Sequence, residues 1–157
     1  MKEDTQYILF VCTGNTCRSA MAEALWNHMY QAPQATSAGT RAWSGQPAAN
    51  FAQEAVARYG ADLSHHQSRD LDEVTEEPDW VVCMTGAQRD VILERRPHWA
   101  KKVHLLTEWV GEFGDIGDPI GWDSKVYDKL ASTLYDLIRR VAKNVPSARP
   151  VAHEGDE

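Results

Sequence analysis

Tyr7-Ile8-Leu9-Phe10-Val11 is a continuous apolar run, and it leads directly into Cys12-Thr13-Gly14-Asn15-Thr16-Cys17-Arg18-Ser19. Five apolar residues without polar alternation suit a strand buried on both faces, as in a parallel sheet. Such a strand delivers Cys12 to the sheet edge. The small polar residues after it let a turn aim successive backbone N–H groups inward, as an anion-binding nest. Gly14 supplies backbone freedom, Asn15 tolerates a left-handed turn position, and Ser19 reads as the cap of the helix that follows. That helix adds its positive N-terminal end. Arg18, six positions after Cys12, carries a planar fork matched to two phosphate oxygens. Each of these features favours the thiolate of Cys12, which is the nucleophilic form. A buried strand-end cysteine with an arginine nearby would explain the pair alone, but not the strand, turn and helix around it.

Apolar residues at Met21, Leu25 and Met29 carry the helix from 19 to 30, with Pro33 marking its end. A short strand is expected over 35–38 and a helix over 47–59, closed by Gly60. The polar connection 64–77 holds a further helical turn or two. A second apolar strand spans 79–85, a helix 87–95 stops before Pro97, and a short strand covers 103–106. After a Gly/Asp-rich loop at 111–122, Val126, Leu130, Leu134, Leu137 and Val141 give the segment 124–145 an amphipathic helical period. Four strands alternating with helices predict a single-domain α/β fold over residues 1–145. Its core is a doubly wound four-stranded parallel sheet with helices on both faces. Ligands of such sheets sit at the carboxyl ends of the strands near the switch point, where Cys12 falls. The Pro-, Ala- and acid-rich tail, 146–157, is expected to be disordered.

The 157 residues are 43% apolar and 25% charged, with a net charge of −7, which argues against nucleic acid as a partner. No apolar stretch is long enough to span a membrane, and the charged start at Lys2, Glu3 and Asp4 does not read as a secretory signal. A cytoplasmic protein is expected. Three cysteines make no disulfide framework; Cys83 reads as core filler, and no second ligand pair accompanies Cys12 and Cys17 to hold zinc. Neither Gly-x-Gly-x-x-Gly nor Gly-x4-Gly-Lys-Ser/Thr occurs, so no cofactor is expected.

The run Val11 to Glu23 resembles the active-site loop of the low-molecular-weight protein-tyrosine-phosphatase family, and within it the bacterial branch that removes phosphate from arginine. Asp118-Pro119, followed by a long helical pattern, is similar to the family's second mark, and the similarity runs over residues 5–143. The resemblance implies the same four-stranded fold and phosphorylated proteins as substrates. It implies Cys12 as nucleophile through a cysteinyl-phosphate, Asp118 as acid and then base, and a phosphate held by Arg18 and the loop from Thr13 to Ser19. From the residues alone Asp115 and Asp123 compete with Asp118 for the acid. Asn15 matches an asparagine that braces the loop, His66 a supporting histidine, and Cys17 a cysteine that can pair with Cys12 under oxidation. Thr16 is what the arginine branch carries where tyrosine-specific members usually have an aliphatic residue. Trp43 falls where those members place an aromatic wall, and Ile120 follows Asp-Pro where an aromatic residue is usual. Ala20 replaces the usual proline after Arg-Ser, a position where proline is dispensable. Protein phosphoarginine is the expected substrate and phosphotyrosine the alternative. An arsenate reductase would need two further cysteines after residue 85 and has none; a non-catalytic adaptor would have lost Cys12, Arg18 or Asp118.

Overall fold

The computed structural model of the protein describes residues 5–152. Strand β1, Tyr7–Cys12, lies inside a sheet of order β3-β1-β4-β5, formed with β3 (Gln34–Gly39), β4 (Trp80–Cys83) and β5 (Val103–Leu105), all parallel. The short strand β2 (Tyr30–Ala32) stands outside it. Both faces of β1 are buried. Ile8, Phe10 and Cys12 point into a core with helices α1 (Arg18–Met29), α2 (Asn50–Ala57) and α5 (Ser124–Ala142). Leu9 and Val11 join a second core with Ile92 of α3 (Gly86–Arg95) and Trp99. Two-sided burial explains why the run carries no polar alternation. One crossover takes the chain from β1 to β3 on one side, and a later one brings β4 to the other. Chain direction therefore switches at the carboxyl end of β1, where Cys12 sits.

The strand expected at 35–38 extends over the whole of β3. Helix α1 ends at Met29, close to the expected end at 30, and residues 30–32 form β2 before Pro33. That strand pairs antiparallel with β6, Arg149–Pro150. Strand β6 and the Val151 N–H on the Met29 carbonyl lie within the segment expected as the tail; residues 153–157 of it lie outside the described residues. Helix α2 is shorter than its pattern, and Gly60 follows it with φ +87° against the ring of His28. Leu106, read as the end of a strand, instead starts a helical turn, α4 (Leu106–Trp109). Among the described residues no helix is long and apolar enough to cross a membrane.

Candidate active site

Residues 12–18 wrap a cavity of about 200 Å³ whose wall is completed by Asp118 and Ile120. Cys12, only 2% exposed, lies at its base. Its sulfur is met by the Ser19 hydroxyl at 3.0 Å, the Asn15 N–H at 3.3 Å and the Ser19 N–H at 3.4 Å. Two backbone N–H donors and one hydroxyl thus converge on a single sulfur. Ser19 does not cap α1, as its place in the sequence suggests. Cys17 holds the cap position and makes no side-chain cap bond, which leaves the Ser19 hydroxyl for Cys12.

The turn depends on Asn15, whose φ of 59° is the sole positive value at a non-glycine residue among those described. Its Nδ2 donates to Ser19 Oγ at 2.8 Å and to Ser37 Oγ at 2.9 Å, and its Oδ1 accepts the Arg69 N–H at 2.9 Å. His66 Nε2 lies 2.7 Å from the Asn15 carbonyl. A carbonyl only accepts, so Nε2 carries the proton and donates. The histidine is a brace beneath the loop, not a surface residue. Gly14, by contrast, has no left-handed φ, and a Cβ there would meet only Thr16 Oγ1, at 3.8 Å.

Arg18 is 5% exposed. Its Nη1 donates to the Ile116 carbonyl at 2.9 Å, its Nη2 stands 3.6 Å from Asp118 Oδ2, and its Nε is buried with no hydrogen-bond partner. A buried N–H without a partner is costly, and an oxygen of a tetrahedral oxyanion in the cavity would satisfy it. The three competing acids separate by what they touch. Asp115 accepts the N–H of Gly86 at 2.9 Å, and Asp123 caps α5 through the N–H groups of Lys125 and Val126. Asp118 lines the cavity, with a half-exposed side chain held by the Ile120 N–H at 3.1 Å. An acid placed there can protonate a group leaving from a phosphorus that Cys12 attacks.

Thr13 and Thr16 both line the cavity. Trp43 does not: 82% of it is exposed, on a loop where its carbonyl accepts the hydroxyl of Ser68 from the 66–69 segment. Cys17 packs behind the loop, its sulfur 3.5 Å from the Tyr127 hydroxyl, and burial pushes its thiol up from the ordinary value. All three cysteines are free. Among the described residues no group of three or more His, Cys, Asp or Glu side chains could hold a metal ion.

Several contributing residues lay outside the sequence reading. Gln88 accepts the N–H groups of Met84 and Thr85 and donates to Thr13 Oγ1 at 3.1 Å, tying α3 to the loop. The Thr85-x-x-Gln88 capping box was legible, its reach to Thr13 was not. Gly39 faces Cys12 across β3 and β1 and leaves room for the Thr13 carbonyl.

Residues 7–148 match the family model described as low molecular weight phosphotyrosine protein phosphatase. The chain is 38% identical over 140 residues to a protein-arginine-phosphatase of Geobacillus stearothermophilus, an alignment covering 88% of this chain and 95% of that one. It is 40% identical over 144 residues to a probable low molecular weight protein-tyrosine-phosphatase, EpsP, of Ralstonia nicotianae, covering 91% and 93%. Among solved structures, a mutant YwlE arginine phosphatase with a phosphorylated active-site serine superimposes with a TM-score of 0.82. It is 35% identical, over 90% of this chain and 97% of that one.

Proposed function

We propose that this chain, which belongs to the low molecular weight phosphotyrosine protein phosphatase family, removes phosphate from arginine side chains of proteins. Membership makes it an enzyme acting on phosphorylated proteins. In the mechanism we assign, the thiolate of Cys12 attacks phosphorus, the bond from phosphorus to the arginine nitrogen breaks, and Asp118 gives its proton to that nitrogen. Water then attacks the cysteinyl-phosphate, Asp118 takes one of its protons, and Cys12 leaves as thiolate toward the Ser19 hydroxyl. Arg18 and the N–H groups from Thr13 to Cys17 hold the equatorial oxygens through both steps.

The observation that carries the choice of arginine is the position of Thr16 in the cavity wall while Trp43 stands outside it. A hydroxyl beside the leaving group can orient a planar, polar guanidinium, whereas a phenyl ring gains most from an apolar or aromatic wall. Ile120, the one apolar side chain lining the cavity beyond the loop, offers less surface to a ring than an aromatic residue would. The match to EpsP favours phosphotyrosine as the second reading. Free, buried cysteines persist best in a reducing compartment, which supports the cytoplasm as the site of action.

Turnover of matched phosphoarginine, phosphotyrosine and phosphoserine peptides tests the assignment. Wild type is expected to prefer phosphoarginine, and Thr16→Ile to move the preference toward phosphotyrosine by ~1–3 kcal/mol in relative transition-state binding. Phosphotyrosine peptides hydrolysed by wild type at least as efficiently as phosphoarginine peptides would overturn the arginine reading.

A further inference from the structure

The left-handed turn at Asn15 is held from outside the loop by Ser37 of β3 and by one short segment. Residues 66–69 supply two of its contacts, the His66 ring on its carbonyl and the Arg69 N–H on its Oδ1. That segment has no helix or strand of its own to keep it in place. Ser68 ties it to residues 43–46, through the Gly45 N–H on its carbonyl and its own N–H on the Gln46 carbonyl, and the Arg69 side chain fastens it to β3 and to Glu76. Arg69 Nε donates to the Ser37 carbonyl at 2.9 Å, and Ser37 is the residue whose hydroxyl receives Asn15 Nδ2. The two terminal nitrogens fork onto the Glu76 carboxylate, Nη1 to Oε1 at 3.1 Å and Nη2 to Oε2. The Arg69 carbonyl takes the Gly39 N–H at 2.9 Å, which joins the same segment to the end of β3. Both charged side chains are largely withdrawn from solvent, 27% and 15% exposed. Burial pushes the Glu76 carboxyl up, but its bonds to Arg69 outweigh this and hold it below the ordinary value, so the pair stays ionic.

We propose that Arg69, clamped by Glu76, is a positioning residue for the reaction: it fixes the N–H that holds Asn15, and through Asn15 it sets the Ser19 hydroxyl and the Asn15 N–H against the Cys12 sulfur. The inference rests on the proposed function in taking Cys12 as the nucleophile. A two-point clamp with a third bond to Ser37 needs the planar guanidinium. A lysine at 69 supplies charge but cannot reach Ser37 and both Glu76 oxygens in one plane. The clamp touches no phosphate, so its loss acts on the chemical step rather than on substrate binding.

The test measures kcat and KM on p-nitrophenyl phosphate, the rate at which iodoacetate alkylates Cys12, and thermal unfolding. Variants are Arg69→Lys and Glu76→Gln, each made in wild type and in Asn15→Ala. Expected in the wild-type background is a roughly tenfold fall in kcat and in alkylation rate with KM nearly unchanged, the size of coupling seen within one hydrogen-bond network. In the Asn15→Ala background the same substitutions should add little, because the residue they act through is gone. Effects that multiply fully with Asn15→Ala, or a lowered unfolding temperature with wild-type kcat and alkylation, would overturn the role and leave Arg69 a purely structural ion pair. Should Arg69→Lys fail to fold, Glu76→Gln keeps the side-chain shape and carries the same readouts. A wild type without turnover would overturn the phosphatase reading; the alkylation rates would still decide the role of Arg69.

Discussion

Gly39→Ala should damage the enzyme more than alanine at Gly14, although Gly14 is the glycine inside the reactive loop. A Cβ on Gly39 would lie 2.3 Å from the Thr13 carbonyl oxygen, 3.1 Å from its carbon and 2.9 Å from the Cβ of Ala42. To clear even 3.0 Å the Thr13 carbonyl must retreat by roughly 0.7 Å. It has little freedom to do so, because it accepts the Arg41 N–H at 3.0 Å while its neighbour, the Cys12 carbonyl, accepts the Thr40 N–H at 2.9 Å. Gln88 holds the Thr13 hydroxyl as well. Overpacking of this kind costs ~1–3 kcal/mol, which in a chain of this length lowers the unfolding temperature by roughly 2–12 °C. Productive geometry in a site tolerates only ~0.5 Å of displacement, and a 1 Å error can cost ~10²-fold, so kcat should fall roughly 10- to 100-fold. At Gly14 φ is not left-handed and a Cβ would make one ordinary contact, 3.8 Å from Thr16 Oγ1. Alanine there restricts the unfolded chain and should leave stability unchanged or raise it by up to ~1 kcal/mol. Calorimetric unfolding and aryl-phosphate kinetics on the two variants decide the matter. A Gly39→Ala protein with wild-type melting temperature and kcat, or a Gly14→Ala protein that is the less stable of the two, would refute the reasoning.

Asp118→Asn should lower kcat ~10²–10⁴-fold on substrates whose leaving group needs a proton, and less on p-nitrophenyl phosphate; equal losses on both would assign Asp118 a structural role. Cys12→Ser should abolish turnover while a phosphate analogue still binds, since Arg18 and the loop N–H groups remain, and activity above roughly a tenth of wild type would sink the covalent route. Iodoacetate at neutral pH should modify Cys12 alone. Burial raises the Cys17 thiol and pushes Cys83 up to about 12, so both stay protonated at neutral pH; peptide mapping that finds either one labelled as fast as Cys12 would contradict this.

What could be read from the chain, and what could not, divides by the distance over which each contact acts. The run 7–11 announces a buried parallel strand because both of its faces meet apolar cores, and that pattern is local. The cavity is equally local: residues 12–18 form most of its wall in one turn, so one stretch of chain displays the proposed nucleophile, the candidate anion nest and the arginine together. The acid is different. Asp123 sits before a helical pattern as a cap should, but nothing near Asp115 shows that it is occupied by Gly86, across the gap between α3 and the 111–122 loop. Trp43 is assigned to the cavity by the family resemblance alone, and whether its ring turns inward depends on packing that its neighbours do not encode. Strands β2 and β6 span three and two residues, too short for an alternation to show.

The braces are the least legible part, and the reason is physical. Asn15 can hold a left-handed turn only if every polar atom of its side chain is occupied, because an unpaired buried amide costs about as much as the turn itself. Its partners come from α1, β3 and the 66–69 segment, separated by 4, 22 and 54 positions. Serine and arginine at those places look like ordinary polar residues until the sheet brings them together. Cys12 is therefore marked as the proposed nucleophile by its sequence neighbours, whereas the groups around its sulfur are oriented by residues that only the fold assembles.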